Sequence, residues 1–234
     1  MNITAKQALQ ELKEKSNKDI AAHSARFFKT AKGEYGEGDK FLGIRVPVAR
    51  SLVKKWLNMT LEENEKLLRS PYHEAQLAAV ILLSEKFKQA SHEAQETIYK
   101  IYLENTTYIN NWDIVDSSSH KILGAYLLER SHAPLFSLVT SKNLWERRIA
   151  IISSYYFIKR QNFDTALSLI ELTLNDEEDL IHKASGWMLR EIGKQNRKTA
   201  ENFLDQHYQN MPGTMLRYVI EKFLQSKRKQ YLQN

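Results

Sequence analysis

Apolar residues recur at spacings of three and four along almost the whole chain, which is the pattern of amphipathic helices. Glycine and proline, which interrupt helices, number only 8 and 4 among 234 residues. Helix start signals accompany the pattern, including Thr60 before LEENEKLL, Ser91 before HEAQ, and Pro47 and Pro134 near first turns. The pattern therefore predicts an all-α protein. The predicted helices cover residues 4–15, 17–30, 47–57, 61–69, 73–88, 92–104, 111–128, 133–140, 144–160, 163–174, 178–194, 198–208 and 213–230.

The helices repeat along the chain with a fixed period. Four segments align when the chain is compared with itself, and their starts are 36 residues apart (109−73, 145−109 and 181−145). A period near this length with two helices per unit is typical of HEAT and armadillo proteins, whose stacked repeats curve around a concave surface. We predict a single domain over residues 1–234, an α-solenoid of HEAT-like helical repeats recognisable over about 73–212. The four segments begin at His73, Ile109, Trp145 and Ile181.

One segment does not fit the helical pattern. Residues 31–44, AKGEYGEGDKFLGI, contain four of the eight glycines and read as a loop of linked turns. The loop lacks the GK[ST] signature of a phosphate-binding P-loop. Two interpretations stay open. The loop either only connects helical hairpins, or it places Tyr35 and Lys40 against a ligand.

The repeat register brings four unusual side chains together on one helix face. Positions four, seven and eight of a segment are neighbours on a helix surface, and equivalent helices of adjacent repeats lie about 8–10 Å apart. Trp112, Asp116, Arg148 and Trp187 occupy these positions, where other repeats have mostly apolar residues. Such a cluster is either a functional site or a buried ion pair packed against core tryptophans. Asp113 lies at position five and could cap, pair or orient a neighbour.

Composition narrows the classes of function. The net charge of +6 and a pI near 9.3 are compatible with a polyanionic partner such as nucleic acid. The chain has no cysteine, and its seven histidines show no paired ligand spacing, so we expect no metal and no cofactor. The sequence has neither a signal peptide nor an apolar run long enough to span a membrane, which predicts a cytoplasmic protein.

Five motifs resemble those of the DNA alkylation repair family, the HEAT-like-repeat alkylpurine DNA glycosylases of the AlkD type. The combination of WDxVD, WxxR and GWxLRE is more specific than any of them alone. The resemblance covers about residues 20–225. The motifs are ARFFK (25–29), FLGIRVPVAR (41–50), NNWDIVD (110–116), NLWERRIAI (143–151) and HKASGWMLRE (182–191).

The resemblance implies a C-shaped stack of helices that holds duplex DNA in a concave basic groove. It implies excision of cationic N3- or N7-alkylated purines without deep base flipping. Its catalytic acid falls on Asp116, its site aromatics on Trp112 and Trp187, and its phosphate-binding arginine on Arg148. The expected state is a monomer, cytoplasmic and nucleoid-associated when bound to DNA. The candidate DNA-binding residues are Arg148, Lys183, Arg45, Arg190, Tyr35 and Lys40.

Three functions stay open at this point. The chain is either an alkylpurine DNA glycosylase, a non-catalytic HEAT-repeat protein that binds damaged or branched DNA, or a protein-interaction scaffold. Some branches of the superfamily keep the fold without glycosylase activity. Retention of Asp116 favours an enzyme, and the cluster of two tryptophans, an acid and a base is not required by a scaffold.

The salt dependence of DNA affinity separates DNA binding from a scaffold role. Each phosphate that the protein neutralises releases counterions, so log K is expected to fall steeply and linearly with log salt concentration, with a slope of about −0.9 per phosphate contacted. Fluorescence anisotropy of a labelled duplex at a series of NaCl concentrations measures this slope. A flat response would favour the scaffold.

Overall fold

A computed structural model describes residues 2–232, and within this range the chain is helical with turns and loops between the helices. Over the same residues the only β pairing is an isolated parallel bridge between Lys40 and Tyr72. The all-α prediction is therefore confirmed. The chain folds into two compact units, the first ending at Ser118 and the second beginning at Ser119. The prediction of one HEAT-like repeat domain stays a prediction.

The first unit is built from six helices and most of a seventh. A short 3-10 helix, Thr106–Tyr108, precedes the last of them. The helices are α1 (Ala5–Glu14), α2 (Lys18–Phe27), α3 (Val46–Lys55), α4 (Leu61–Leu68), α5 (His73–Gln89), α6 (His92–Glu104) and α7 (Trp112–Ser119).

The second unit continues with shorter helices around one long one, α13. A π-helical segment, His120–Gly124, opens the unit, and a 3-10 turn, Ile220–Lys222, lies near its end. The helices are α8 (Ala125–Leu127), α9 (Ala133–Val139), α10 (Leu144–Ser153), α11 (Tyr155–Ile158), α12 (Asp164–Leu172), α13 (Asp179–Gln195), α14 (Arg197–His207), α15 (Gly213–Val219) and α16 (Gln225–Leu232).

Side-chain caps fix several helix starts. The hydroxyl of Thr4 accepts from the Gln7 backbone N–H while the Gln7 side chain accepts from the Thr4 N–H, which forms a capping box. The side chains of Asn17, Thr60 and Ser91 accept backbone N–H groups in the same way at α2, α4 and α6. These caps explain why the predicted starts of these helices lie within a residue of the observed ones.

The 36-residue period is visible in the helices, although it is not uniform. The four aligned segments coincide with α5, α7, α10 and α13, whose starts are 39, 32 and 35 residues apart (112−73, 144−112 and 179−144). Each helix begins within three residues of its predicted segment start. The period therefore locates the helices, while loop lengths differ from repeat to repeat.

Three predicted helices are interrupted in the structure. The helix expected over 111–128 passes through the π-helical segment, where a Cβ on Gly124 would lie 2.2 Å from the Ser153 carbonyl oxygen. The helix expected over 144–160 breaks at Ser154, whose hydroxyl and backbone N–H both donate to the Ile151 carbonyl. The helix expected over 213–230 ends at an extended Phe223. Packing at Gly124 and local hydrogen bonds at Ser154 override the apolar pattern at the first two of these places.

The glycine-rich loop is held firmly against the start of α5. The carboxylate of Glu74, which is buried, accepts the backbone N–H groups of Leu42 (2.9 Å), Gly43 (2.7 Å) and Ile44 (3.1 Å). The backbone N–H of His73 also donates to the Lys40 carbonyl at 2.9 Å. A buried carboxylate is stable when several donors satisfy it, so Glu74 acts as the anchor of this loop.

We expect Gly43→Ala to destabilise the protein more than Gly38→Ala. Both glycines have positive φ (+80° and +89°), so each alanine costs about 1–2 kcal/mol of backbone strain. A Cβ at Gly43 would also lie 2.0 Å from the Asn17 carbonyl oxygen, whereas at Gly38 nothing lies within 4 Å. Urea unfolding of the two variants measures the difference in free energy of unfolding. Equal losses would show that the close contact at Gly43 relaxes without cost.

Candidate functional site

Helix α7 carries two of the predicted site residues, Trp112 and Asp116, one turn apart on the same face. Both side chains are partly exposed. The carboxylate of Asp116 lies near the buried hydroxyl of Tyr102, which hydrogen-bonds with Ser118 Oγ at 2.8 Å. Burial raises the pKa of Tyr102 well above its ordinary value and outweighs the hydrogen bond with Ser118, which lowers it, while the charge of Asp116 adds a smaller upward contribution, so the hydroxyl stays neutral. Asp116 is thus a carboxylate at the surface with a neutral hydroxyl near it.

An aromatic cluster holds Trp112 from one side. Its ring stacks on Phe28, with centroids 5.3 Å apart and an interplanar angle of 27°, and meets Phe27 edge-on at 6.0 Å. Phe28 in turn stacks on Phe41 of the glycine-rich loop at 5.2 Å. Phe27 is 58% exposed, which is unusual for a phenylalanine and leaves an apolar ring at the surface beside Trp112.

Behind the aromatic rings lies a buried imidazole between two carboxylates. Nε2 of His73 is 2.9 Å from Asp113 Oδ2, and Nδ1 is 3.5 Å from Asp39 Oδ2, an ion-pair distance without a hydrogen bond. The His73 side chain is only 2% exposed. Burial disfavours the cation, but the hydrogen bond to Asp113 and the charge of Asp39 outweigh it and raise the pKa of His73 to about 9.

The carboxylates of Asp39 and Asp113 also accept hydrogen bonds from residues close to Trp112. Asp39 Oδ2 accepts from Asn111 Nδ2 at 2.8 Å, and Asn111 Oδ1 accepts the backbone N–H of Trp112 at 2.8 Å. Asp113 Oδ1 accepts the N–H of Ile114 at 2.9 Å. Asp113 therefore accepts a backbone N–H in the first turn of α7 and pairs with His73.

A cavity of about 660 Å³ opens beside this cluster within the first unit. Phe28, Phe41 and His73 form part of its wall, and Asp113 and Arg45 also border it. The volume is within the range of small-molecule sites. Among residues 2–232, no group of three or more histidine or acidic side chains is arranged to hold a metal ion.

In the second unit, Arg148 and Trp187 are fixed by specific partners. Arg148 on α10 is 5% exposed, and its Nη1 donates to the Leu180 carbonyl at 2.5 Å. Trp187 on α13 is partly exposed, its Nε1 donates to Glu191 Oε1 at 3.1 Å, and its ring lies 5.9 Å from that of Tyr155. Glu191 is buried and also pairs with Lys194. Trp187 is thereby held by an acceptor one turn away on its own helix.

Two of the other five predicted DNA-binding side chains, Lys183 and Arg190, form ion pairs within the protein. Lys183 pairs with Asp179 at 2.6 Å. Arg190 pairs with Glu221 and lies over the Tyr218 ring.

The remaining three candidates lie in or beside the glycine-rich loop. Arg45 and Lys40 are exposed, and Lys29 Nζ lies 6.0 Å from the centre of the Tyr35 ring. For Lys183 and Arg190, a phosphate would have to compete with existing ion pairs, each of which is worth little at a surface.

Four residues around these side chains escape the sequence argument, namely His73, Asp39, Glu74 and Glu191. The first three act together only because the chain folds, since Asp39 precedes His73 by 34 residues (73−39). Glu191 could have been found, because an acid four residues after a tryptophan on a helix is within reach of its indole N–H.

Comparison with known protein families shows to which family the chain belongs. The sequence model of a family described as "DNA alkylation repair enzyme" matches residues 8–223. The chain belongs to the DNA alkylation repair enzyme family. Membership in this family supports a role in DNA repair, with DNA as the substrate.

A solved structure shows the same fold. A protein described as a predicted DNA alkylation repair enzyme from Enterococcus faecalis superposes with a TM-score of 0.70 at 21% sequence identity, covering 90% of this chain and 98% of the other. At this identity the likeness establishes the fold alone. No curated protein matches the chain significantly. Within residues 2–232, no helix combines the length and the apolar character needed to cross a membrane.

The His73 cluster predicts a loss of stability in mildly alkaline solution. The pKa of His73 is raised from 6.5 to about 9 in the folded protein, so its contribution is complete below pH 6.5 and disappears as the pH rises to about 9. The shift corresponds to about 3 kcal/mol of unfolding free energy. Urea titrations between pH 6 and 10 should show this decline, and His73→Gln should flatten it. A His132→Gln control should keep the decline, and an equal decline in His73→Gln would contradict the assignment.

Proposed function

We propose that the protein is a DNA glycosylase that hydrolyses the N-glycosidic bond of cationic N3- or N7-alkylated purines in duplex DNA. The observation that carries the proposal is the partly exposed carboxylate of Asp116, one helical turn from the partly exposed ring of Trp112, in a chain of the DNA alkylation repair family. An acid at the surface of a helix, where other repeats have Val80, Ile152 and Met188, can be reached by a ligand.

The chemistry of the substrate fits a single carboxylate. Glycoside hydrolases generally need two, because one must protonate the leaving group. A purine alkylated at N3 or N7 already carries a positive charge and leaves as a neutral base without prior protonation. As the bond breaks, positive charge develops on the deoxyribose, and an ionised Asp116 would stabilise it electrostatically and orient the attacking water.

The faces of aromatic rings also attract the positive charge of the alkylated base and of the sugar in the transition state. Trp112 and Trp187 would present π-electrons to the cationic base or sugar, each contact being worth about 0.5–2 kcal/mol. The stacking of Trp112 on Phe28 and the hydrogen bond from Trp187 to Glu191 hold each ring before DNA binds. Rings held in advance lose less conformational entropy on binding.

The phosphate contacts are proposed for Arg148, Lys183, Arg190, Arg45, Lys40 and Tyr35. Arg148 is the most buried of the set, and its bond to the Leu180 carbonyl fixes the guanidinium at one end. A planar guanidinium matches the geometry of a phosphate and can bind two of its oxygens at once. These contacts carry no base information and would set affinity and orientation.

We expect Asp116→Asn to lower the single-turnover rate of base release by about 100- to 1,000-fold, as loss of one electrostatic group typically does, and to leave DNA affinity almost unchanged. Release of N7-methylguanine and N3-methyladenine from methylated duplex DNA is measured by chromatography. Asp164→Asn, which removes an exposed acid in the second unit, is the matched control and should keep the wild-type rate.

The outcomes distinguish the alternatives. Full activity of Asp116→Asn would refute the mechanism. If the wild-type protein releases no base but binds the methylated duplex, the chain is a DNA-binding protein without glycosylase activity.

A further inference from the structure

We propose that His73, clamped between the carboxylates of Asp113 and Asp39, is a positioning residue that fixes the ring of Trp112. The inference rests on the proposed function for the role of Trp112 toward DNA. The clamp itself is a property of the first unit, and three separate paths of contact lead from His73 to Trp112.

The first path runs through the start of α7. Nε2 of His73 bonds to Asp113 Oδ2 at 2.9 Å, and the other oxygen of Asp113 accepts the N–H of Ile114 at 2.9 Å. Asp113 follows Trp112 directly in the chain. The imidazole therefore fixes the first turn of the helix from which Trp112 projects.

The second path runs through the glycine-rich loop. Nδ1 of His73 faces Asp39 Oδ2 at 3.5 Å, and the same oxygen accepts from the Asn111 side chain. Asn111 is fully buried, and its own oxygen accepts the Trp112 backbone N–H. The residues on both sides of Trp112 are thus connected to one imidazole.

The third path is aromatic. The His73 ring lies 4.8 Å from the Phe28 ring and 4.6 Å from the Phe41 ring. Phe28 is also the ring on which Trp112 stacks. A shift of His73 would move Phe28 and therefore the surface that supports the indole.

The charge of the His73 ring determines whether it holds both carboxylates. Two carboxylates facing one buried ring repel each other unless the ring is a cation, so a neutral imidazole would leave at least one of them without compensation. Glu74 is already satisfied by three loop N–H groups, and the other charged or titratable groups bordering the cavity are Asp19, His23 and Arg45. None of these other groups forms a hydrogen bond or ion pair with the His73 ring among the contacts of the described residues.

The test follows Trp112 and catalysis in the same full-length proteins. Acrylamide quenching is measured for wild type and His73→Gln, each with and without Trp112→Phe, so that the difference isolates Trp112 from the other three tryptophans. Quenching of Trp112 should increase in His73→Gln, and single-turnover base release should fall about 10- to 100-fold, as a small misplacement of a substrate-contacting group does. DNA affinity should change little, since phosphate contacts set it.

His132→Gln removes a hydrogen-bonded imidazole of the second unit and should change neither reading. A folded His73→Gln protein with wild-type Trp112 quenching would overturn the inference. If wild type releases no base, the proposed function fails, and the quenching of Trp112 alone decides whether His73 positions it. If His73→Gln does not fold, Trp112 quenching in the wild type between pH 7 and 10 decides instead. An increase would support the clamp, and a constant value would refute it.

Discussion

The fold of the first unit depends on the partners of two adjacent buried side chains, His73 and Glu74, at the start of α5. Glu74 gathers three backbone N–H groups of the glycine-rich loop, and His73 lies between two carboxylates, one from that loop and one from α7. A buried charge is tolerated only when partners compensate it, so the loop and the start of α7 must both be in place. The glycine-rich loop is therefore part of the surroundings of Trp112, since Asp39 accepts a hydrogen bond from Asn111 and Phe41 stacks on Phe28.

Much of the fold could be predicted from the sequence, because apolar periodicity and capping residues are local signals. Thr60 and Ser91 mark helix starts by hydrogen bonds that involve only neighbouring residues. The breaks at Ser154 and Phe223 and the π-helical turn before Ala125 could not be predicted in this way. At the π-helical turn the close approach of Gly124 to the Ser153 carbonyl competes with an uninterrupted helix, and at Ser154 the hydroxyl donates to the Ile151 carbonyl.

The site residues also divide into those that the sequence indicates and those that only the fold brings together. Asp116 is exceptional because it occupies a position that other repeats fill with apolar side chains, and this comparison needs only the register. The role of Asp113 needed the structure, because its partner His73 is 40 residues away. The ion pair of Arg190 also needed the fold, because Glu221 is 31 residues away, whereas Asp179 precedes Lys183 by one turn of the same helix and is a partner that the sequence could indicate.

The central claim is that one carboxylate suffices because the leaving base carries its own positive charge. The most direct measurement compares single-turnover release of N7-methylguanine and of an uncharged purine lesion, hypoxanthine, placed in otherwise identical duplexes. Our account predicts release of the cationic base and no release of the neutral one, because the proposed mechanism contains no acid that protonates the leaving base. Release of both bases at similar rates would contradict the account and would require a general acid in addition to Asp116.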